Sequence, residues 1–145
     1  MSSFTALRIS ATGLTAERLR MDLISNNIAN QQTTRTETGE PYRRRVAVFM
    51  PNVPSRAPGL AKEAPSAPAQ GGVRVAAIIE DPRPGATVYD PNHPDADANG
   101  YVTYPNVDVV AEIVDMMSAT RAYEANLVAA QAAKGMAARA IDLGR

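Results

Sequence analysis

The stretch 105-PNVDVVAEIVDMMSATRAYEANLVAAQAAKGMAARAIDLG-144 decides the fold. Pro105 breaks whatever precedes it, Asn106 is a residue type that caps helices, and Asp108 and Glu112 place negative charge at the positive end of a helix dipole. Val109, Ile113, Met116, Thr120, Tyr123, Leu127, Ala130, Lys134, Ala137 and Ile141 then step by four and three, the spacing that holds one stripe of a helix against a partner. The pattern predicts a helix of about 37 residues, about 55 Å long, with Gly144 as its stop. Flanking positions Val110, Met117, Ala119, Asn126, Ala133, Ala138 and Ala140 are apolar, small or neutral, and only Glu112 and Glu124 are charged. With Ala122, Ala125, Ala129 and Ala132 smoothing other faces, one partner helix would not cover the apolar surface.

A partner stands at the other end of the chain. Phe4, Leu7, Ala11, Leu14, Arg18, Met21, Ser25 and Ile28 follow the same spacing and predict a helix over about residues 4–29. It is weak alone: Arg18 and Ser25 interrupt the stripe, Asn26, Asn27 and Asn30 are poor interior residues, and Gly13 costs about 1 kcal/mol relative to alanine. The polar, turn-rich 31-QQTTRTETGEP-41 ends it.

All but one of the eleven prolines lie between Pro51 and Pro105, so the middle is not helical. Within it, 42-YRRRVAVFM-50 and 73-VRVAAIIE-80 have strand composition and predict a hairpin pair. The segment 51–72, with five prolines and three glycines, predicts a mobile loop. In the proline-dense 81-DPRPGATVYDPNHPD-95 only Thr87 to Tyr89 has room for a short strand. The expected fold is mainly α with a small β insertion: an N-terminal assembly helix (1–30), a β-rich and proline-rich insertion (31–105) and a C-terminal assembly helix (106–145), the two helices packed as a coiled-coil-like pair.

Composition narrows the chemistry. Fifteen basic and fifteen acidic residues cancel, so net charge selects neither nucleic acid nor anionic lipid. The absence of cysteine removes disulfides, thiol catalysis and cysteine-type zinc sites. Arg8, Glu17, Arg18 and Arg20 break up the N-terminus, which therefore lacks the apolar core of a secretory signal, and no run approaches the roughly 18 apolar residues of a membrane span.

One motif imitates a metal site. Asp95, Asp97, Asn99 and Gly100 occupy positions one, three, five and six of a calcium loop, and Tyr101 could offer its carbonyl at seven, but position twelve is Asn106 where the bidentate glutamate should stand. Prolines 82, 84, 91 and 94 also forbid the entering helix. These acidic residues are expected to form turns leading into the C-terminal helix, and no metal or cofactor is expected. His93 is the single histidine and nothing marks an activated nucleophile, so no enzyme is expected. Arg43, Arg44 and Arg45 are expected on a solvated strand edge.

Three ordered segments, 14-LTAERLRMDLISNNIANQQTT-34, 89-YDPNHPDADANGYVTYPNVD-108 and the C-terminal stretch quoted above, resemble the axial proteins of the bacterial flagellum, the rod and hook family. Asn26, Asn27, Ala29 and Asn30 match its asparagine signature, and Arg121, Tyr123, Glu124, Ala125 and Asn126 match its second helix; Gln31-Gln32 departs from it. The short middle and YDPNHPDADANGYV are similar to its proximal-rod members. The resemblance implies a structural subunit that polymerises through its terminal helices into the proximal rod, the periplasm-spanning drive shaft that carries motor torque to the distal rod and hook. It implies export by the flagellar type III apparatus without a cleaved signal. The implied partners are copies of the chain, other proximal and distal rod proteins and the basal-body base, with no nucleic acid and no membrane insertion. The expected assembly interface comprises Leu7, Leu14, Met21, Asn26, Asn27, Ile28, Asn30, Val109, Ile113, Met116, Tyr123, Asn126, Leu127 and Ile141. A coiled-coil adaptor that binds a separate partner without polymerising is the alternative.

Overall fold

Two antiparallel helices, α1 (Ser3–Ala29) and α2 (Val109–Leu143), form the body of the protein in the computed structural model, which describes residues 3–52 and 71–143. The mobile loop expected over 51–72, apart from its two residues at either end, and the stop expected at Gly144 lie outside the described residues. Asn30 closes α1: its backbone N–H and side-chain Nδ2 both donate to the Asn26 carbonyl, at 3.1 and 2.9 Å, satisfying an acceptor that the helix end would otherwise orphan. At the start of α2 the cap is Asp108, not Asn106. Asp108 Oδ1 accepts from the N–H groups of Val110 and Ala111 at 2.9 and 3.2 Å, because a cap must sit immediately before the first helical residue for its side chain to reach the free donors.

The register of the pair is set by Gly13 against Asn126, Arg20 against Asp115 and Asn27 against Glu112. Among the buried and half-buried residues of α2, Glu112, Met116, Ala119, Tyr123, Asn126, Ala130, Ala133 and Ala137 again step by four and three, and Val109, Asp115, Ala122 and Gly135 are half-buried beside them. The expected stripe shares Met116, Tyr123, Ala130 and Ala137 with this seam, but Ile113, Thr120, Leu127, Lys134 and Ile141 are exposed. In α1 the seam runs through Ala6, Ser10, Gly13, Glu17, Arg20, Ile24 and Asn27, each one residue before a member of the stripe expected from sequence. Spacing is therefore right, and the phase is off by one residue throughout α1 and at alternate positions of α2. The cause is size and polarity: seam positions Ala6, Ser10, Gly13, Ala119, Ala130, Ala133 and Ala137 are small and let backbones approach closely. Glu17, Arg20, Asn27, Glu112 and Asn126 are polar, and only Ile24, Met116 and Tyr123 are large and apolar or aromatic, while other large apolar side chains sit on the shoulder.

Strands β1 (Arg45–Pro51) and β2 (Val73–Glu80) pair antiparallel as expected, with a register shift between Val48 and Phe49. The ribbon lies along α1, tied at one end by Asn27 to the backbone of Arg45 and at the other by the Val73 N–H to Thr12 Oγ1, 3.1 Å. Lengths match: seven strand residues span about 23 Å, and the helix from Thr12 to Asn27 spans about 22 Å.

The short strand expected at Thr87 to Tyr89 is present as β3 (Thr87–Tyr89), and it pairs antiparallel with a strand not foreseen, β4 (Tyr101–Thr103). The chain folds back between them. Asp97 Oδ1 accepts from the N–H groups of Asn99 and Tyr101 at 2.8 and 2.9 Å, and Gly100 takes a φ of +81°, a left-handed conformation that glycine adopts without steric cost. Val102 is 1% exposed and Tyr89 meets Tyr101 edge to face at 5.2 Å. The DADANG segment is thus a turn whose carboxylate at Asp97 is occupied by backbone donors.

At Gly13 the two helices approach closely, since a Cβ there would lie 2.8 Å from Asn126 Oδ1. Gly13→Ala should lower the thermal midpoint although alanine improves helix propensity by about 1 kcal/mol, because overpacking costs roughly 1–3 kcal/mol. Adding Asn126→Ala should recover part of the loss; a Gly13→Ala protein more stable than the parent would show that the helices do not approach closely here.

Candidate functional site: a polar joint and an apolar face

Where the insertion meets the helical pair, polar groups converge. Arg44, immediately before β1, donates from Nε to Glu112 Oε1 and from Nη2 to Asp115 Oδ2 at 3.1 Å. Glu112 Oε2 accepts from Asn27 Nδ2 at 3.0 Å. Asn27 uses its whole amide: Oδ1 accepts from the Tyr42 hydroxyl and the Arg45 N–H, both at 2.9 Å, and Nδ2 also donates to the Arg45 carbonyl at 3.0 Å. Glu112 is 0% and Asn27 1% exposed, so each depends on these partners in place of water.

Arg44 therefore does not lie on a solvated edge as expected from the run Arg43-Arg44-Arg45. Arg43 and Arg45 make exposed ion pairs with Glu40 and Glu80, whereas Arg44 points inward to neutralise a carboxylate on α2. Asn106, freed from capping, fastens the same region: its Oδ1 accepts from the Arg44 N–H at 2.9 Å, and its Nδ2 donates to the carbonyls of Asp81 and Arg83 at 3.1 and 2.9 Å. Nearby, the Arg83 side chain and N–H hold the Asp81 carboxyl down at about 2.

The second feature is a surface. In a right-handed helix the residue after a seam position lies about 100° further round, and because α1 and α2 are antiparallel that rotation carries both helices to the same side of the pair. Leu7, Leu14, Met21 and Ile28 follow Ala6, Gly13, Arg20 and Asn27; Ile113, Thr120 and Leu127 follow Glu112, Ala119 and Asn126. The Thr120 hydroxyl reaching Met21 Sδ at 3.7 Å shows the two rows adjacent. The insertion occupies the opposite side, touching residues that precede seam positions, such as Thr12 and Asp115. Along the free side Leu7, Ile113 and Leu127 are 36, 49 and 40% exposed, and further round α2 Val110, Val114, Met117 and Val128 are exposed as well.

The residues expected at an assembly interface thus divide. Leu7, Leu14, Met21, Ile28, Ile113 and Leu127 come together on this face, and Ile141 is exposed near the end of α2. Met116, Tyr123 and Asn126 belong to the seam, and Val109 is half-buried in the first turn of α2. Asn27 is committed to the joint, Asn30 caps α1, and the exposed Asn26 donates to the Asp22 carbonyl at 2.9 Å. Sequence reasoning missed Arg44, Asp115 and the joining role of Asn106. The heptad phase of Glu112, Ala119, Asn126 and Ala133 was the available signal, hidden because none of the four is large and apolar.

A helical pair closed by small residues, carrying a row of large apolar side chains on one side and a β insertion on the other, has the build of a structural protein. The descriptions "Flagella basal body rod protein" and "Flagellar basal body rod FlgEFG protein C-terminal" match residues 7–35 and 98–143, the two helical ends. The flagellar basal-body rod protein FlgC of Bacillus subtilis is 45% identical over all of this chain and all of its own length. The FlgC of Borreliella burgdorferi is 47% identical over 94% of this chain and 93% of its own, and that of Salmonella typhimurium 39% over the whole of both. The chain belongs to the FlgC family of flagellar basal-body rod proteins. It is a structural subunit of the rod, where it assembles with other rod components. Among the described residues no helix is long and apolar enough to cross a membrane.

Burial raises the Tyr42 hydroxyl above its ordinary value of 10.0. The folded state therefore prefers neutral Tyr42, and this contribution is complete below the unfolded value and lost as pH rises through the folded one. Urea unfolding should show a part of the stability that holds up to about pH 9 and falls as pH rises past the unfolded value of 10.0, and Tyr42→Phe should remove that part of the fall while lowering stability at neutral pH by roughly 1 kcal/mol. An alkaline fall of unchanged size in Tyr42→Phe would separate Tyr42 from the joint.

Proposed function

We propose that the chain polymerises through its terminal helices, with copies of itself and with neighbouring proximal and distal rod proteins, to build the shaft that passes motor torque toward the hook. The observation that carries this reading is the row Leu7, Leu14, Met21, Ile28, Ile113 and Leu127, contiguous across both helices on the side that the insertion leaves free. Large contiguous apolar surface marks a contact site, and each such side chain contributes roughly 1.5–3 kcal/mol when fully covered. Contacts between unlike surfaces that do not close on themselves extend into a filament.

On this reading residues 1–30 and 106–145 form one assembly core and 31–105 an insertion held to it by the Arg44 joint. The protein acts by contact, without catalysis, cofactor or metal. It travels through the flagellar export apparatus without a cleaved signal and works in the periplasm-spanning part of the basal body, touching the basal-body base and the next rod segment. A seam whose large apolar or aromatic members are only Ile24, Met116 and Tyr123 buries limited apolar area within one chain, which supports assembly as the step that completes folding.

Burying a charge without a partner is strongly unfavourable. Ile113→Asp combined with Leu127→Asp should abolish rod incorporation and motility while the protein is still exported, as read by fractionation of basal bodies and swarming. Normal motility in that double mutant would defeat the assembly face. The helical circular dichroism of the isolated protein should increase on assembly; a fully helical, stable monomer that does not associate would point to the adaptor.

A further inference from the structure

We propose that the helical pair can close at its joint end only when the insertion is docked, so that the chain carries a built-in check on completing its apolar face. The consequence for assembly rests on the function proposed above; the closure itself does not. At this end the seam places Glu112 against Asn27, both essentially without exposed surface. Between these two residues there is a single bond, Asn27 Nδ2 to Glu112 Oε2; the α1 cation at this end, Arg20, is paired with Asp115 at 3.6 Å and with Glu17 at 3.7 Å. Every other partner of Asn27 and Glu112 comes from residues 42–45: the Tyr42 hydroxyl and both backbone groups of Arg45 for Asn27, and the Arg44 guanidinium for Glu112.

Closing α1 on α2 with the insertion absent would bury a carboxylate against one neutral donor and leave the Asn27 Oδ1 with none, and a buried ion that loses its counter-charge is far costlier than an exposed one. The other end makes no such demand: there Gly13 faces Asn126, and the seam residues beyond it, Ala6 and Ser10 on α1 and Ala130, Ala133 and Ala137 on α2, carry no charge. Asn106 makes the dependence mutual: it bonds the Arg44 backbone and the 81–83 segment two residues ahead of the α2 cap, so docking also fixes where α2 begins. Ile28 and Ile113 directly follow Asn27 and Glu112 in sequence. An undocked insertion therefore leaves the same end of the apolar face unformed.

Hydrogen exchange on the full-length protein in solution tests this without reference to the rod. Arg44→Ala should speed exchange of amides in 20–28 and 112–119 by about a hundredfold, with a much smaller change in 8–14 and 126–136. Replacing the carboxylate removes the need for the counter-charge, so Glu112→Leu and the Arg44→Ala/Glu112→Leu double should both keep the joint end protected. Unaltered exchange in Arg44→Ala, or a double as unprotected as the single, overturns the proposal. If Arg44→Ala unfolds altogether, protection of the double still supports the proposal and its loss overturns it. Rod incorporation should follow joint-end protection; a double that is protected in solution and absent from the rod would sink the assembly consequence and leave the closure mechanism standing.

Discussion

A carboxylate with no exposed surface lies between two helices, and the geometry of the protein is arranged around neutralising it. Glu112 obtains its counter-charge from Arg44, which belongs neither to α1 nor to α2 but to the segment leading into β1. That choice couples three parts of the chain. α2 supplies the acid, α1 supplies Asn27 to hold its second oxygen, and the insertion supplies the base. A hydrophobic residue at position 112 could pack as well in energetic terms; what the ion pair adds is dependence of the helical pair on the insertion and a fixed place for the ribbon along α1.

The same economy of apolar contact inside the chain explains its exterior. Close approach at Gly13 brings α1 and α2 together there with little side-chain volume between them, and much of the remaining seam is small or polar, which leaves several larger apolar residues on one side. A monomer that placed Leu14, Met21, Ile113 and Leu127 in its own seam would hold itself together better and offer neighbours less. Division into an inner seam of mostly small and polar residues and an outer row of large apolar ones suits a subunit of the flagellar rod, a family to which sequence identity over the full length assigns it.

Much of this architecture is legible in the sequence. The two long helices follow from hydrophobic spacing, the hairpin from strand composition between proline-rich segments, and the turn at Asp97 to Gly100 from its residue types. The phase of the seam is not legible by size-weighted periodicity, because the true seam of α2 contains Glu112, Ala119, Asn126 and Ala133, none of which a search for large apolar residues would select. Strand β4 escapes notice because three residues carry no periodicity and its pairing with β3 depends on a turn eleven residues long. Arg44 reads as one of three equivalent surface arginines until the fold brings α2 to it, since an ion pair spanning 68 positions leaves no local mark.

Two kinds of contact occupy two places, the Arg44 joint within the chain and the proposed apolar row between chains. A side-chain-resolution image reconstruction of assembled basal bodies examines both at once. The expected result is Leu14, Met21, Ile28, Ile113 and Leu127 covered by helices of neighbouring subunits, with Glu112 still held by Arg44 of its own chain. That apolar row left bare in the assembled rod, or Glu112 paired with a neighbour's arginine while Arg44 faces solvent, would contradict it.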